Sequence, residues 1–325
     1  MSRRYDAALY DLDGVIYLGS EPIAHAAASV GAARADGLRA AFVTNNASRR
    51  PAAVAAHLTE LGIPAEPADV VTSAQAAVRV LRELLPAGAV VLIVGSAGLS
   101  DEVAGAGFRP VREAGPEVAA VVQGHDPATG WPLLAEAAVA LRAGALWVAT
   151  NTDSTLPSPR GPLPGNGSMV AALRAATGLA PLVAGKPEPA LHLESVARVQ
   201  AQRPLVVGDR LDTDILGAVR GGADSLLVLT GVIDLPALLS APVGMRPTYV
   251  AADLRGLTEP QPAVTITEFE AACDGVTVGW CDGRVELAGT DVAALRAACA
   301  LAWFRADAAA AAAAAAGELK AANGA

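Results

Sequence analysis

The chain has 325 residues, enough for two domains and an appendage at roughly 100–200 residues per domain. Hydrophobic residues make up 53% and aromatics only 4%, which excludes a disordered chain and leaves Ala, Val and Leu to build a large core. The 24 basic residues against 33 acidic ones give a net charge of −9, the wrong sign for a binder of duplex nucleic acid or of an anionic membrane.

Arg3 and Arg4 open the chain, but Asp6, Asp11 and Asp13 interrupt the apolar stretch that a signal peptide needs. No apolar run of about 18 residues occurs, so no spanning helix is expected. Strands are predicted at Ala7–Leu12, Arg39–Val43, Ala89–Val94, Ala119–Val122, Ala145–Ala149, Leu205–Val207 and Ser225–Leu229. Helical patterns lie between them at Pro51–Leu61, Ser73–Leu85, Pro132–Arg142 and Glu188–Val199. This alternation predicts an α/β fold of βαβ units, with mainly parallel sheets covered by helices on both faces. Thr155–Gly167, rich in Pro and Gly, reads as a long ordered loop.

Glu259–Ala263 reads as a domain boundary. Beyond it, Gly275–Trp280 and Arg284–Leu287, joined through Cys281-Asp282-Gly283, predict a β-hairpin. A helix from about Val292 then dissolves into the run Ala308–Ala316, which has high helix propensity but little to pack against, and into a polar tail. Cys273, Cys281 and Cys299 are an odd, sparse set without a CxxC pair. They argue against a disulfide framework and a structural zinc site, and for a cytoplasmic protein.

Four segments carry candidate chemistry, each at or just after a strand end, where open α/β sheets bind ligands. Tyr10-Asp11-Leu12-Asp13-Gly14-Val15 offers two carboxylates, one able to hold a hard cation and attack phosphorus, the other able to exchange protons. The bland alternative is a turn. Phe42-Val43-Thr44-Asn45-Asn46 offers a hydroxyl and two amides for phosphate oxygens, or else a helix N-cap. Ala184-Gly185-Lys186-Pro187-Glu188-Pro189 sets one lysine in a rigid turn, against the commoner fate of a solvated lysine. Gly208-Asp209-Arg210-Leu211-Asp212-Thr213-Asp214 supplies three carboxylates, with N-capping by Asp212 as the companion reading.

In that order the four motifs resemble those of haloacid dehalogenase (HAD) superfamily phosphatases, specifically the p-nitrophenyl-phosphatase-like and NagD-like subfamily. The resemblance covers about residues 5–260, through DLDGV, FVTNN, GKPEP and GDRLDTDI. Within the subfamily the chain resembles the actinobacterial glycerol 3-phosphate phosphatases, which also carry a C-terminal extension. The resemblance implies a Rossmann-like HAD core formed by residues 1–86 and 181–258, an inserted α/β cap of the C2 type at 87–180, and a small α+β extension at 259–325 with a frayed or disordered tail.

It implies roles as well. Asp11 is the expected nucleophile, forming an aspartyl-phosphate, and Asp13 the acid/base for the leaving alkoxide and the attacking water. Mg²⁺ is expected on Asp11, the Asp13 carbonyl, Asp209 and Asp214, the last directly or through water. Thr44, Asn45 and Asn46 are expected on the phosphoryl group, with Lys186 neutralising its charge. The expected partner is a small phosphate ester, best matched by glycerol 3-phosphate, with sugar phosphates, nucleoside monophosphates or pyridoxal phosphate as alternatives. A homodimer is left open.

The interval between the second and third motifs is longer than one helix and strand need, and suits a lid that selects substrate. His125, Asn151, Asp153 and Arg160 are its candidate selectors, Asn151 and Asp153 the ones resembling the family's substrate loop, with Pro164-Gly165-Asn166-Gly167 as a close-approach loop. His125 and Arg160 read equally well as solvated loop residues. A dehalogenase is disfavoured by Asp13, since no alkoxide then needs a proton. A phosphomutase fits the large insert less well, and a non-catalytic binding protein has no use for Asp11, Asp13, Lys186 and Asp209 together.

Overall fold

The computed structural model describes residues 1, 3–156, 160–287, 289 and 291–323, with side chains through 310. Six parallel strands form the first sheet, in the order Tyr249–Ala251, Asp224–Val228, Pro204–Gly208, Ala7–Asp11, Arg39–Thr44 and Val70–Thr72. Successive side chains of these strands leave on opposite faces. Tyr10, Phe42, Leu205, Val207 and Leu226 pack on one side with Val30 and Leu58 from the helices Ala26–Ala35 and Pro51–Glu60. Leu9, Ala41, Val43, Val71 and Val206 pack on the other with Ala77 and Leu81 of Ser73–Leu84 and Leu191 of Pro189–Val199. Burial on both faces is what makes the strands continuous apolar runs.

A second, five-stranded parallel sheet has the order Leu182–Val183, Leu146–Ala149, Val118–Gln123, Val90–Val94 and Arg109–Val111. One face, through Val91, Ile93, Ala120, Val122 and Val148, joins the same buried cluster as the helix Ser73–Leu84. Its other face carries Leu92, Val94, Val121 and Trp147 against the helices Trp131–Arg142 and Asn166–Thr177. One helix layer therefore serves both sheets, and its small side chains Ala74, Ala76 and Ala77 let the sheets approach it.

The second sheet takes in Leu182–Val183, residues that the expected boundary at 180/181 gave to the core. That strand is only two residues long and pairs parallel to Leu146–Ala149, a contact with no local sequence signal. Thr155–Gly167 is not a plain loop either. Thr155–Leu156 pairs antiparallel with Leu163–Pro164, and Asn166 and Gly167 already belong to a helix; residues 157–159 lie outside the described residues.

The C-terminal extension is a four-stranded antiparallel meander, Thr265–Ile266, Glu270–Cys273, Val276–Cys281 and Arg284–Glu286. The predicted hairpin is present, and a second one precedes it. Both use two-residue Asp-Gly turns with positive φ at each position, 49° and 80° at Asp274-Gly275 and 49° and 81° at Asp282-Gly283. The helix Val292–Asn323 keeps its backbone through the alanine run, where it was expected to dissolve. The end of the tail, Gly324 and Ala325, lies outside the described residues. Ala294, Ala297 and Leu301 pack on the meander, while Leu295 and Cys299 pack on Ile215, Leu227, Leu238 and Val250 of the core. Among the described residues, no helix is long and apolar enough to cross a membrane.

Candidate active site

The site lies at the C-terminal edge of the six-stranded sheet. Asp11 is the last residue of its strand, Thr44 of its own, and Asp209 directly follows Pro204–Gly208. Gly14, at φ 87°, turns the chain back after Asp13. A Cβ on Gly14 would lie 2.5 Å from Asp209 Oδ2, and one on Gly231 only 1.9 Å from it, so two glycines make room for that carboxylate. A widened helical turn at Leu211–Ile215 brings Asp214 back over the strand end, where the Arg210 N–H donates to its Oδ2 at 3.2 Å. Asp212 does not act as the expected N-cap: it pairs with the Arg210 guanidinium at 2.8 Å.

Lys186 is the hub of the charged cluster. Its Nζ donates to Asp11 Oδ1 and, at 2.7 Å, to Asp214 Oδ1. Burial opposes the charge on this ammonium, but Asp11 and Asp214 outweigh it and hold the pKa above the usual lysine value. Burial drives the Asp11 carboxyl upward; Lys186 pulls it back, and Asp214 and Asp209 push it up again. Burial and Asp214 also raise Asp209, to about 6, against the Val232 N–H that donates to its Oδ2 at 2.9 Å.

These groups fit a divalent cation. One oxygen each from Asp11, Asp209 and Asp214 lie within 4.8 Å of one another, and Asp209 Oδ1 is buried without a hydrogen-bond partner. Three carboxylates against one ammonium leave a formal charge of −2 to be balanced, and all-oxygen donors suit Mg²⁺ or Ca²⁺.

Asp13 stands apart from that cluster, exposed at the mouth. Crowding by protein on its other sides raises its pKa, and Arg49, Lys186 and His57 partly counter this. Arg49, Lys186 and His57, with Tyr17 held above its usual pKa by burial and by Asp13, mark out the approach to the acid. Thr44 is buried, and its Oγ1 accepts the Asn46 N–H at 3.1 Å. The Asn46 side chain turns to its own loop, where Oδ1 accepts from Ser48 N and Oγ at 2.8 and 2.7 Å. Asn45 spans Lys186 and Asp153, its Nδ2 donating to each at 3.2 Å.

The insert supplies one loop to this edge. Asn151 is 4% exposed and spends its amide on Asn45 O at 2.7 Å, so it ties the loop down and does not face substrate as expected. Asp153 is half-buried; burial raises its pKa and Arg210 lowers it. Gly165 and Gly167 are close-approach positions, where a Cβ would meet Asp153 O at 2.3 Å and Thr152 O at 2.2 Å. Asn166 donates from Nδ2 to Asn151 O at 2.7 Å. His125 is half-buried and Arg160 exposed. Sequence reasoning missed Val232 and Thr230, whose Oγ1 donates to Gly14 O at 2.6 Å; both follow the strand Asp224–Val228 as Leu229-Thr230-Gly231-Val232, a strand-end glycine that could have drawn notice.

The cluster belongs to a known class. Residues 8–109 match the haloacid dehalogenase-like hydrolase family model, and residues 183–257 match a second HAD-hydrolase-like model. The chain belongs to the haloacid dehalogenase-like hydrolases. It is 56% identical over 258 residues to a D-glycerol 3-phosphate phosphatase of Mycobacterium tuberculosis, covering 79% of this chain and 72% of that one. An acid sugar phosphatase of Staphylococcus aureus is 35% identical over 78% of this chain and 96% of its own. The crystal structure of the glycerol phosphate phosphatase from M. tuberculosis in complex with magnesium superposes with a TM-score of 0.83 at 47% identity, covering 93% and 92% of the two chains. A p-nitrophenyl phosphatase from Archaeoglobus fulgidus gives 0.71 at 29% identity, covering 77% and 97%.

Proposed function

We propose that the chain is a Mg²⁺-dependent phosphomonoesterase acting on glycerol 3-phosphate. The observation that carries the reading is the Asp11 carboxylate at a strand end, bonded to Lys186 and grouped with Asp209 and Asp214, with Asp13 two residues further on. The choice of ester is supported by the 56% identical relative, which is named for it.

In this reading Asp11 attacks phosphorus, forming an acyl phosphate as the ester P–O bond breaks. Asp13 gives its proton to the departing alkoxide. It then takes one from the water that attacks phosphorus and frees Asp11. A pKa raised by burial suits this exchange, because it favours the acid form over that of an ordinary carboxylate. Lys186 balances charge on Asp11 and on the transferring group, and Thr44 stands at the adjoining strand end for the phosphoryl oxygens. Asp11, Asp209, Asp214 and the Asp13 carbonyl would hold the cation, which supplies further charge neutralisation and orientation. Asp153 is the insert's carboxylate for a substrate hydroxyl, since its bond to Asn45 uses Oδ2 alone.

The test is phosphate release from glycerol 3-phosphate, sugar phosphates, nucleoside monophosphates and pyridoxal phosphate, with Mg²⁺ and after chelation. Glycerol 3-phosphate should lead the panel and chelation should abolish turnover. A faster sugar phosphate would move the substrate assignment, and full activity in EDTA would remove the metal from it. The site needs no second chain, since Asp11, Asp13, Lys186, Asp209 and Asp153 all come from one. We place the protein in the cytoplasm, as suits three free cysteines.

A further inference from the structure

The hydrogen bonds of the Asn45 side chain leave its amide nothing to offer a phosphoryl group. Its side-chain amide has two N–H donors, and they go to Lys186 O and Asp153 Oδ2. Its Oδ1 accepts the Lys186 N–H at 2.8 Å; a backbone N–H can only donate, which settles how the amide is turned. The Asn45 carbonyl accepts from Ser73 Oγ at 2.6 Å and from Asn151 Nδ2 at 2.7 Å, filling both lone pairs. Gly185 permits the clamp, since a Cβ there would lie 2.6 Å from Asn45 Oδ1 and 2.4 Å from Thr150 O.

We propose that Asn45 is a positioning residue, whose amide grips the Lys186 backbone at both N–H and C=O and fastens the same point to the insert loop Asn151–Asp153. One side chain then sets both the ammonium on Asp11 and the carboxylate read as substrate-facing. This rests on the phosphatase reading above. The Ala184 N–H donates to Ala149 O at 2.9 Å and Gly185 O accepts the Glu188 N–H at 3.0 Å, so the backbone is fixed up to Lys186, whose own N–H and C=O are held by Asn45. Misplacing a charge-neutralising group by about 1 Å can cost about 100-fold in rate.

The test is a double-mutant cycle between Asn45→Ala and Lys186→Met, read as kcat/KM for p-nitrophenyl phosphate at saturating Mg²⁺. Asn45→Ala should cost about 100-fold in the wild-type background and under about threefold once Lys186 is gone. Because the ammonium bonds to Asp11 and Asp214, any shift in the Mg²⁺ concentration for half-maximal rate should go the same way in Asn45→Ala as in Lys186→Met and should not add in the double variant. A second cycle with Asp153→Ala, read with glycerol 3-phosphate, should be non-additive as well. Equal losses with and without Lys186 would show that Asn45 acts on the phosphoryl group and not through the lysine, and additive shifts in the Mg²⁺ requirement would show that it acts on the carboxylates separately; either overturns the proposal. Asn45→Ser serves if the alanine variant does not fold. The aryl ester separates the two readings: a chain that hydrolyses it but not glycerol 3-phosphate loses the substrate assignment and keeps the first cycle.

Discussion

Asp11 and Asp13 are the same residue type two positions apart, and their surroundings divide the work between them. Asp11 is held against an ammonium and turned inward, whereas Asp13 sits at the mouth with its acid form favoured. Asp13→Asn should therefore slow glycerol 3-phosphate hydrolysis by about 100-fold or more, since its alkoxide needs a proton, and p-nitrophenyl phosphate by under about tenfold. Steady-state rates for the two esters in one variant check this. A second titrating residue, His192, bears on stability. It packs so closely over Gly221 that a Cβ there would lie 2.5 Å from the imidazole, and burial lowers its pKa. The unfolded chain takes up that proton near 6.5 and the folded chain only at lower pH, so the contribution of His192 is present above 6.5 and lost as pH falls below it. Urea unfolding from about pH 7 to about pH 5 should show a shallower loss of stability in His192→Gln than in wild type.

Among the elements, the segment after Asp224–Val228 does more for the site than its composition suggests. Gly231 leaves space for the Asp209 carboxylate and Val232 donates to it. Gly231→Ala should raise the half-saturating Mg²⁺ concentration by about 10- to 100-fold, as loss of a ligand's support does elsewhere, measured by titrating activity with the metal. That segment also marks how far sequence reasoning reached. The strands ending in Asp11, Thr44 and Gly208 were legible because buried apolar runs broke off at, or one residue before, polar residues. Val70–Thr72, Arg109–Val111, Tyr249–Ala251 and Leu182–Val183 were not, being two or three residues long at or near sheet edges, too short for any period to show. The amides of Asn45 and Asn151 could be seen as donors, but not that folding spends them on Lys186, Asp153 and each other. The Asp274-Gly275 turn carried the same signal as Asp282-Gly283 and was overlooked because Glu270–Cys273 is hardly apolar at its start.

Across the whole molecule, the extension is joined to the core by more than a linker. Leu295 and Cys299 share a buried cluster with Ile215, next to Asp214, and with Leu227 and Val250. Arg296 Nε donates to Val250 O at 2.8 Å, Trp303 Nε1 to Leu238 O at 3.0 Å, and Arg246 grips Asp307 with two bonds of 2.7 and 2.8 Å. Leu295→Ala should cost about 2–4 kcal/mol. Calorimetry should show extension and core melting in one transition that moves down as a unit, whereas two separated transitions would mean that the contact carries little.

The path of the chain between the two sheets gives the site a mechanical weak point. From Val183, held by a two-residue strand pair, only Ala184 and Gly185 lead to Lys186, held by the Asn45 amide. The same junction is crossed by the Asn151 bond to Asn45 O and by the Arg50–Asp101 pair, so a pull on the insert reaches Lys186 through a small set of polar bonds beside the shared apolar core. Turnover followed on single molecules stretched between insert and core should therefore fall before the chain unfolds and return on release, and loss of activity only on unfolding would show that the junction is not the sensitive point.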